Sequence, residues 1–479
     1  MARINTNVPA IVAQRHLSNA SRDLNSTIAR LSSGVRITRG ADDPAGLIAS
    51  ERLRSEISAV NQAIQNTQRA SNIIATTEGA LDEVANLLND IQELIIEAAN
   101  TGALSEDEIR ANQLQIDSAI ASITRISNST TFAGRQLLNG SLDYVTSGVN
   151  NAVVQQLEIH GAQFGTQPFL PVNVDVMQSA QPGMLFFTDA ATGADSVTVE
   201  IAGNTGVTTL NFVSGTPAAD VLAAINLVRD ATGVSASFIN PANPSSGVMI
   251  RSLGLGSRQF VKVNVLSGTG FATYSSIGGP ADSDDDGRDA VALINGAAVI
   301  ADGNRLAVRN LVLDLELTLA KTFGEGTTSF AITKGGAMFQ VGPEVNSNLQ
   351  VNIGMRSVAA TRLGSFAAGG FMSQIGSEGE FSLLKGNASQ AQNIVKEAIR
   401  QVSVLRGRLG AFEKNTLDTN VSQLTITMEN LSAAESAIRD ADFAYETSQL
   451  SRNQILVNSS TAVLALAQQT PQSVLRLLG

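Results

Sequence analysis

Residues 424–467 read LTITMENLSAAESAIRDADFAYETSQLSRNQILVNSSTAVLALA. Leu424, Leu431, Ile438, Tyr445, Arg452, Ser459 and Leu466 follow one another at sevens. Thr427, Ala434, Ala441, Ser448, Ile455 and Ala462 stand three residues after the first six of them. An alternation of three and four is the seam of a helix packed on another helix, here with one large and one small column. No Pro or Gly falls between Leu424 and Thr470, so the spacing predicts one long helix. Arg452 and Ser459 occupy seam positions where a two-stranded zipper takes apolar residues. Such a helix needs several neighbours.

The other end of the chain repeats the theme. Leu17, Leu24 and Leu31 form a heptad column, with Ile28 beside it, before Ser32-Ser33-Gly34 interrupts. Asp43 reads as an N-cap with Pro44 at the first helical position, opening a second helix that runs to about Asn100. Leu81, Val84, Leu88, Ile91 and Ile95 give that helix a clean seam. Ser105 with Glu108 is a capping box for a third helix, whose seam is Ile109, Ile116, Ala119, Ile123 and Ile126. Helical periodicity returns near Ala388, with Val395, Ala398, Val402, Leu405 and Leu409 on one face.

Between about Gly140 and Phe381 the period changes. Val197–Ile201 alternates and is β-branched, Leu210–Val213 is a second strand, and Ala218–Asp230 reads as a short helix. Gly and Pro are dense throughout. The fold class is therefore mixed: long paired N- and C-terminal α-helices forming a coiled-coil or bundle rod, with a central β-rich (α+β) insertion.

Composition narrows the function. A formal charge of −11, from 32 Lys+Arg against 43 Asp+Glu, argues against a nucleic-acid partner. No stretch is apolar enough to span a membrane, and the first ten residues lack the apolar core of a cleavable secretory signal. The absence of Cys removes thiol catalysis and Cys-based metal sites. His16 and His160 are the only histidines, and neither stands in a His-Glu-x-x-His run or triad motif. His16, next to Leu17, is expected to make an inter-helix polar contact. Asp282–Gly287 carries carboxylates at positions 1, 3 and 5 of a calcium loop, but Leu293 replaces the bidentate Glu at position 12, so a solvated acidic linker is expected. Nothing reads as a catalytic site, and no cofactor or metal is expected.

Arg30-Leu31-Ser32-Ser33-Gly34-Val35-Arg36-Ile37 followed by Ala41-Asp42-Asp43-Pro44-Ala45-Gly46-Leu47 resembles the N-terminal signature of bacterial flagellins. The run Asn430–Ala444, with Asn453-Gln454-Ile455-Leu456 and Ala467-Gln468 beyond it, is similar to their C-terminal signature. Thr198–Ser237 resembles a repeat in the surface-facing part of some flagellins. The resemblance implies a self-assembling subunit of the extracellular flagellar filament. It implies an inner tube from residues 1–44 and 433–479 and an outer helical layer from 45–140 and 385–432. A variable surface region would occupy 141–384, with subdomains over 172–280 and 281–335 and return strands over 336–384.

In that arrangement the inner packing falls to Leu17, Leu24, Ile28, Leu31, Leu431, Ile438, Tyr445, Ile455, Ala462 and Leu466. The outer packing falls to Leu81, Val84, Leu88, Ile91, Ile95, Val402, Leu405 and Leu409. The family also implies type III export, an export chaperone on the C-terminal helix, and contacts with hook-junction and cap proteins. Leu88–Asn100 matches the helix that an innate immune receptor reads in many flagellins, with Glu93 and Leu94 fitting and Asp90 reversing the charge of an Arg. A hook-filament junction protein, which shares the terminal helices, is the alternative. Assembly is expected to survive deletion of residues 171–335.

Overall fold

The computed structural model describes residues 6–165, 167–310 and 312–478, with side chains as far as Gln469. Three helices open the chain: α1 (Val8–Ser33), α2 (Pro44–Ala98) and α3 (Glu106–Ser129). Two short ones, α4 (Ala218–Leu227) and α5 (Arg229–Thr232), lie in the β-rich middle. Three close the chain: α6 (Ala388–Phe412), α7 (Thr419–Arg439) and α8 (Phe443–Leu478). A π-helical stretch, Glu413–Asp418, joins α6 to α7.

Local chemistry sets the helix ends. Asn7 Oδ1 accepts from the Ala10 N–H to start α1, and Gly34, at φ 73°, ends it by donating to Arg30 O. Asp43 Oδ1 accepts from Gly46 N–H at 2.9 Å to cap α2. A Cβ on Gly46 would stand 2.4 Å from Asp43 Oδ2 and 2.8 Å from Ile37 Cδ1, so a side chain there would push aside the carboxylate that makes the cap. The Ser105–Glu108 capping box opens α3 with both of its reciprocal bonds.

The chain divides into two compact units. One holds Met1–Ser71, Gln340–Leu349 and Phe412–Gly479. The other holds Asn72–Phe339 and Gln350–Ala411. In the second unit Leu81, Val84, Leu88, Ile91 and Ile95 of α2 are fully buried, as are Ile116 and Ile123 of α3 and Val395, Ala398, Val402 and Leu409 of α6. Leu405 is also buried.

The β-rich part of this unit has two cores. In the first, strands Leu170–Gln178, Val291–Ile294 and Gly326–Lys334 pair antiparallel in one sheet, and Val154–Ala162, Leu313–Leu319 and Arg305–Arg309 pair in another. Val172, Val174, Val176, Leu306, Leu315 and Ile332 belong to the core they share. The second core gathers Phe187, Val199, Ile201, Val221, Ile225 and Ile250, with Phe187 stacked on Phe271 at 4.4 Å. It joins the sheet of Val197–Gly203, Val207–Phe212, Phe260–Ser267 and Asp284–Asp286, the sheet of Met184–Phe187, Val234–Phe238 and Val248–Ser252, and helix α4.

Those cores do not follow the divisions 172–280 and 281–335. The second is an insertion within the first, because Leu170–Gln178 pairs with strands that follow the insertion in sequence. The two ends of the insertion meet: Gln181 N–H donates to Arg288 O at 2.8 Å and Arg288 N–H donates back at 2.9 Å. The acidic run is likewise neither calcium loop nor linker. Asp284–Asp286 is an edge strand on Phe260–Lys262, and Asp285 Oδ2 accepts from Met184 N–H at 2.8 Å. Exposed carboxylates at a sheet edge discourage pairing with a further strand.

Candidate assembly interface

In the first unit, α1 and α8 pack antiparallel. Asn7 Nδ2 donates to Ala467 O at 2.8 Å at one end, and Arg30 Nη1 meets Glu446 Oε1 at 3.4 Å at the other. Between them Asn453 Nδ2 donates to Thr27 Oγ1 at 3.1 Å. The buried column of α1 is Ala13, Ala20 and Thr27, at sevens, with Leu17, Leu24 and Leu31 half-buried beside it. On α8 the buried residues Glu446, Asn453 and Ala467 also keep the seven-residue period, with Leu450, Val457 and Leu464 half-buried. Small residues opposite leucines bring the helices together but bury little area. The buried Glu446 carboxylate depends on Arg30, whose Nε is itself buried without a partner.

The long helix predicted from Leu424 is two helices. Arg36 N–H donates to Arg439 O at 2.7 Å and Ala441 N–H to Gly34 O at 3.0 Å, so the chain leaving α1 takes the backbone groups at the end of α7. Asp442 Oδ1 then accepts from Ala444 and Tyr445 N–H at 2.9 and 3.0 Å, capping a new helix. The break resets the heptad. Before it, Leu424 packs on Val60, Ala63 and Ile64 of α2, with Leu431 and Met428 alongside, and Arg439 reaches Glu51 at 3.3 Å. Ile438 is half-buried. After it, the inward column lies one residue later than the extrapolated one.

Tyr445, Ile455 and Leu466 are consequently 60%, 67% and 66% exposed, and Arg452, Ser459 and Ala462 are exposed with them. On α1, Val8, Ile11, Val12 and Ile28 are exposed as well, and on α8 so are Phe443, Leu456 and Val463. So many large apolar side chains on one helical hairpin exceed the scatter of single exposed residues on a soluble surface. His16 is exposed rather than engaged between helices. It lies on the unburied part of a helix whose inward columns are filled by Ala and Leu.

In the second unit, Glu158, His160 and Glu316 bring ligand-type atoms within 4.8 Å of one another. Both carboxylates are already engaged. Arg356 Nη1 lies 2.7 Å from Glu158 Oε1, where the Gln156 amide also donates, and Arg305 and Arg309 both pair with Glu316. Burial is the largest influence on Glu158 and raises its carboxyl. Arg356, Gln156 and His160 together outweigh it, so the group is held below the usual carboxylate range. Burial, helped by Arg408, pushes His160 down to about 4. An incoming cation would have to displace three guanidinium groups, so the cluster works as an ion-pair network, buried at Glu158 and His160 and opening to solvent at Arg305 and Arg309.

Comparison with known proteins decides the family. The model for the bacterial flagellin N-terminal helical region matches residues 4–143, that for the C-terminal helical region matches 392–478, and the flagellin hook IN motif matches 198–252. The chain belongs to the bacterial flagellin family. It is 28% identical to polar flagellin F of Vibrio parahaemolyticus, over 99% of both chains. It is 29% identical to B-type flagellin of Pseudomonas aeruginosa and 28% identical to flagellin of Salmonella rubislaw, again over 99% of each. Among solved structures, flagellar hook associated protein-3 of Legionella pneumophila aligns at 13% identity over 81% of this chain and 98% of that one, with a TM-score of 0.30. A likeness that small does not discriminate between members of the flagellar family.

The expected packing residues thus fall into three groups, one of them the half-buried Leu17, Leu24, Leu31, Leu431 and Ile438. Leu81, Val84, Leu88, Ile91, Ile95, Val402, Leu405 and Leu409 are spent inside the chain. Ile28, Tyr445, Ile455, Ala462 and Leu466 are not. In the receptor-type segment Asp90 and Glu93 are exposed and Leu94 is half-buried. Glu446, and Asn453 in a packing role, were not among the expected seam residues; both sit in the α1–α8 seam, and their signal is a heptad counted afresh from the Asp442 cap.

Proposed function

We infer that this chain is a structural subunit of the bacterial flagellar filament and that it assembles through the exposed apolar faces of α1 and α8. The observation that carries the reading is the set of residues Val8, Ile11, Ile28, Tyr445, Ile455, Val463 and Leu466, exposed although large and apolar. A seam of Ala, Thr, Asn and Leu makes the isolated pair weak, so burial against neighbouring copies supplies the stabilisation that the hairpin lacks alone. Repeated head-to-tail contacts that do not close a ring give an open helical polymer.

Around that core, residues 45–140 and 385–432 form an outer layer and 141–384 face solvent. Its partners are further copies, hook-junction and cap proteins, and an export chaperone that shields α8 before assembly. Export runs through the flagellar type III apparatus to the cell exterior, and the role is structural rather than enzymatic. Deleting Ser459–Gly479 tests the assignment. A soluble, folded monomer that fails to form filaments in seeded polymerisation is expected; normal filaments from that truncation would sink it. Expression in a strain lacking its own flagellin separates this reading from a junction protein, long motile filaments supporting the first and short stubs the second.

A further inference from the structure

The second unit contains a cleft of about 660 Å³ that the assembly function leaves unused. Its walls come from strand Val154–Ala162, from Arg305–Arg309 and Leu313–Leu319, from the turn Ser365–Gly369 and from α6. The charges on its lining cancel: Glu158, Glu316 and Glu397 face Arg305, Lys396 and Arg400. Arg309 and Arg356, just outside the lining, also pair with these carboxylates, so none of the three is left over for a cation. The carboxylates are also fixed in place. Arg400 grips Glu397 through two nitrogens at 2.6 and 2.7 Å, Gln401 adds a third bond at 3.0 Å, and Arg356 and the Arg305–Arg309 pair hold the other two.

Uncommitted groups stand across from these acceptors. Asn393 and Lys396, one turn apart on α6, are exposed and have no hydrogen-bond or ion-pair partner among the described residues. Gln390 spends its amide N–H on Ala368 O at 2.7 Å and keeps its carbonyl free. The lining has no branched aliphatic or aromatic side chain; its apolar surface, about as large as its polar surface, comes from Ala367, Ala368, Gly369 and the carbon stems of the longer polar side chains. Phe366, between two lining residues, is 73% exposed, with its ring edge-on to Phe371 at 5.2 Å.

We propose that this cleft binds a neutral polyhydroxylated ligand, a mono- or disaccharide unit. Each hydroxyl of such a ligand donates to a carboxylate held still by arginine and accepts from an amide or ammonium. With every carboxylate held by a guanidinium, none is free to ligate a metal, and the lining lacks the large apolar side chains that a lipid tail needs. Water competes for every one of these bonds, so affinity is in the millimolar range, and specificity rests on hydroxyl geometry.

The test uses the unassembled full-length chain, with maltose, lactose and N,N′-diacetylchitobiose as probes at about 10 mM in saturation-transfer NMR. Transfer to at least one disaccharide is expected. The double variant Asn393→Ala/Lys396→Met, altering two exposed side chains, should weaken it by roughly tenfold with an unchanged melting curve. Equal binding of the corresponding methyl glycoside identifies the end of a longer glycan as the source, whereas its loss identifies a free sugar. Glucuronate and glucosamine should bind no more tightly than the neutral probes. No transfer from any disaccharide, transfer indifferent to the double variant, or tenfold tighter binding of a charged sugar would each overturn the proposal.

Discussion

At the residue scale, Gln113 shows what local pattern conceals. It sits on α3 and is fully buried, while its neighbour Leu114 is 63% exposed, the reverse of what polarity predicts. All of its hydrogen-bonding capacity is used. The amide donates to Asp117 Oδ1 and Ile375 O at 3.0 Å, and the carbonyl accepts from Ser382 Oγ and Leu383 N–H at 3.0 and 2.9 Å. Gln113→Leu leaves buried backbone groups without partners and should cost about 2–4 kcal/mol, read by urea unfolding. A cost below about 1 kcal/mol would mean that solvent or relaxation replaces the network. His160 supplies a pH test. Its folded value of about 4 lies below the ordinary 6.5, so the folded state resists protonation. Its neutral form contributes stability in full above pH 6.5, and that contribution declines as pH falls towards 4, amounting to on the order of 3 kcal/mol. Glu158, held below its usual range, adds a loss in the same direction at lower pH still. His160→Gln should flatten the decline of melting temperature between pH 6.5 and 4; an unchanged slope would remove the imidazole from the account.

At the element scale, the break at Asp440–Asp442 matters most. The heptads on either side were legible, but joining them across the break placed Tyr445 and Leu466 one step, and Ile455 two steps, away from the inward columns of α8. What selects the break is the bonding of Arg36 and Gly34 to Arg439 and Ala441, which comes from the other end of the chain. Asp442→Ala removes the cap on Ala444 and Tyr445 and should cost about 1 kcal/mol, seen as faster amide exchange at those two residues. Unaltered exchange would show that α8 begins without help from Asp442. The start of α2 is equally specific. Gly46→Val drives a side chain into Asp43 and Ile37 and should lower stability by roughly 1–3 kcal/mol in chemical unfolding, whereas any capping residue of the Asn or Ser type at Asp43 should be tolerated far better.

At the scale of the whole molecule, nested insertion governs which parts can be removed. A deletion of 171–335 takes all but the first residue of Leu170–Gln178, and all of Leu313–Leu319, out of a shared core and exposes Val154 and Ile159, so that variant should misfold rather than assemble. Removing Gly183–Gly287 instead takes out one whole core, because Gln181 and Arg288 already exchange two backbone hydrogen bonds, at the loss of the Ser257–Asp289, Arg258–Asp302 and Lys321–Leu253 contacts. Joined by a short Gly-Ser link, the remainder should retain its circular dichroism and still polymerise into filaments. Collapse of that variant would show that the two cores depend on each other.

The sequence by itself determined the terminal helices, their Leu and Ile columns, the caps at Asp43 and Ser105 and the family to which the chain belongs. These depend on interactions three or four residues apart, or on motifs that remain contiguous. Only the tertiary structure decided that α7 serves α2 while α8 serves α1, that the acidic run is a sheet edge, and that one β core is threaded into another. Each of those rests on a partner more than twenty residues away, and periodicity carries no information about distant partners. The face of α8 left open by that arrangement is the surface on which further copies are expected to pack.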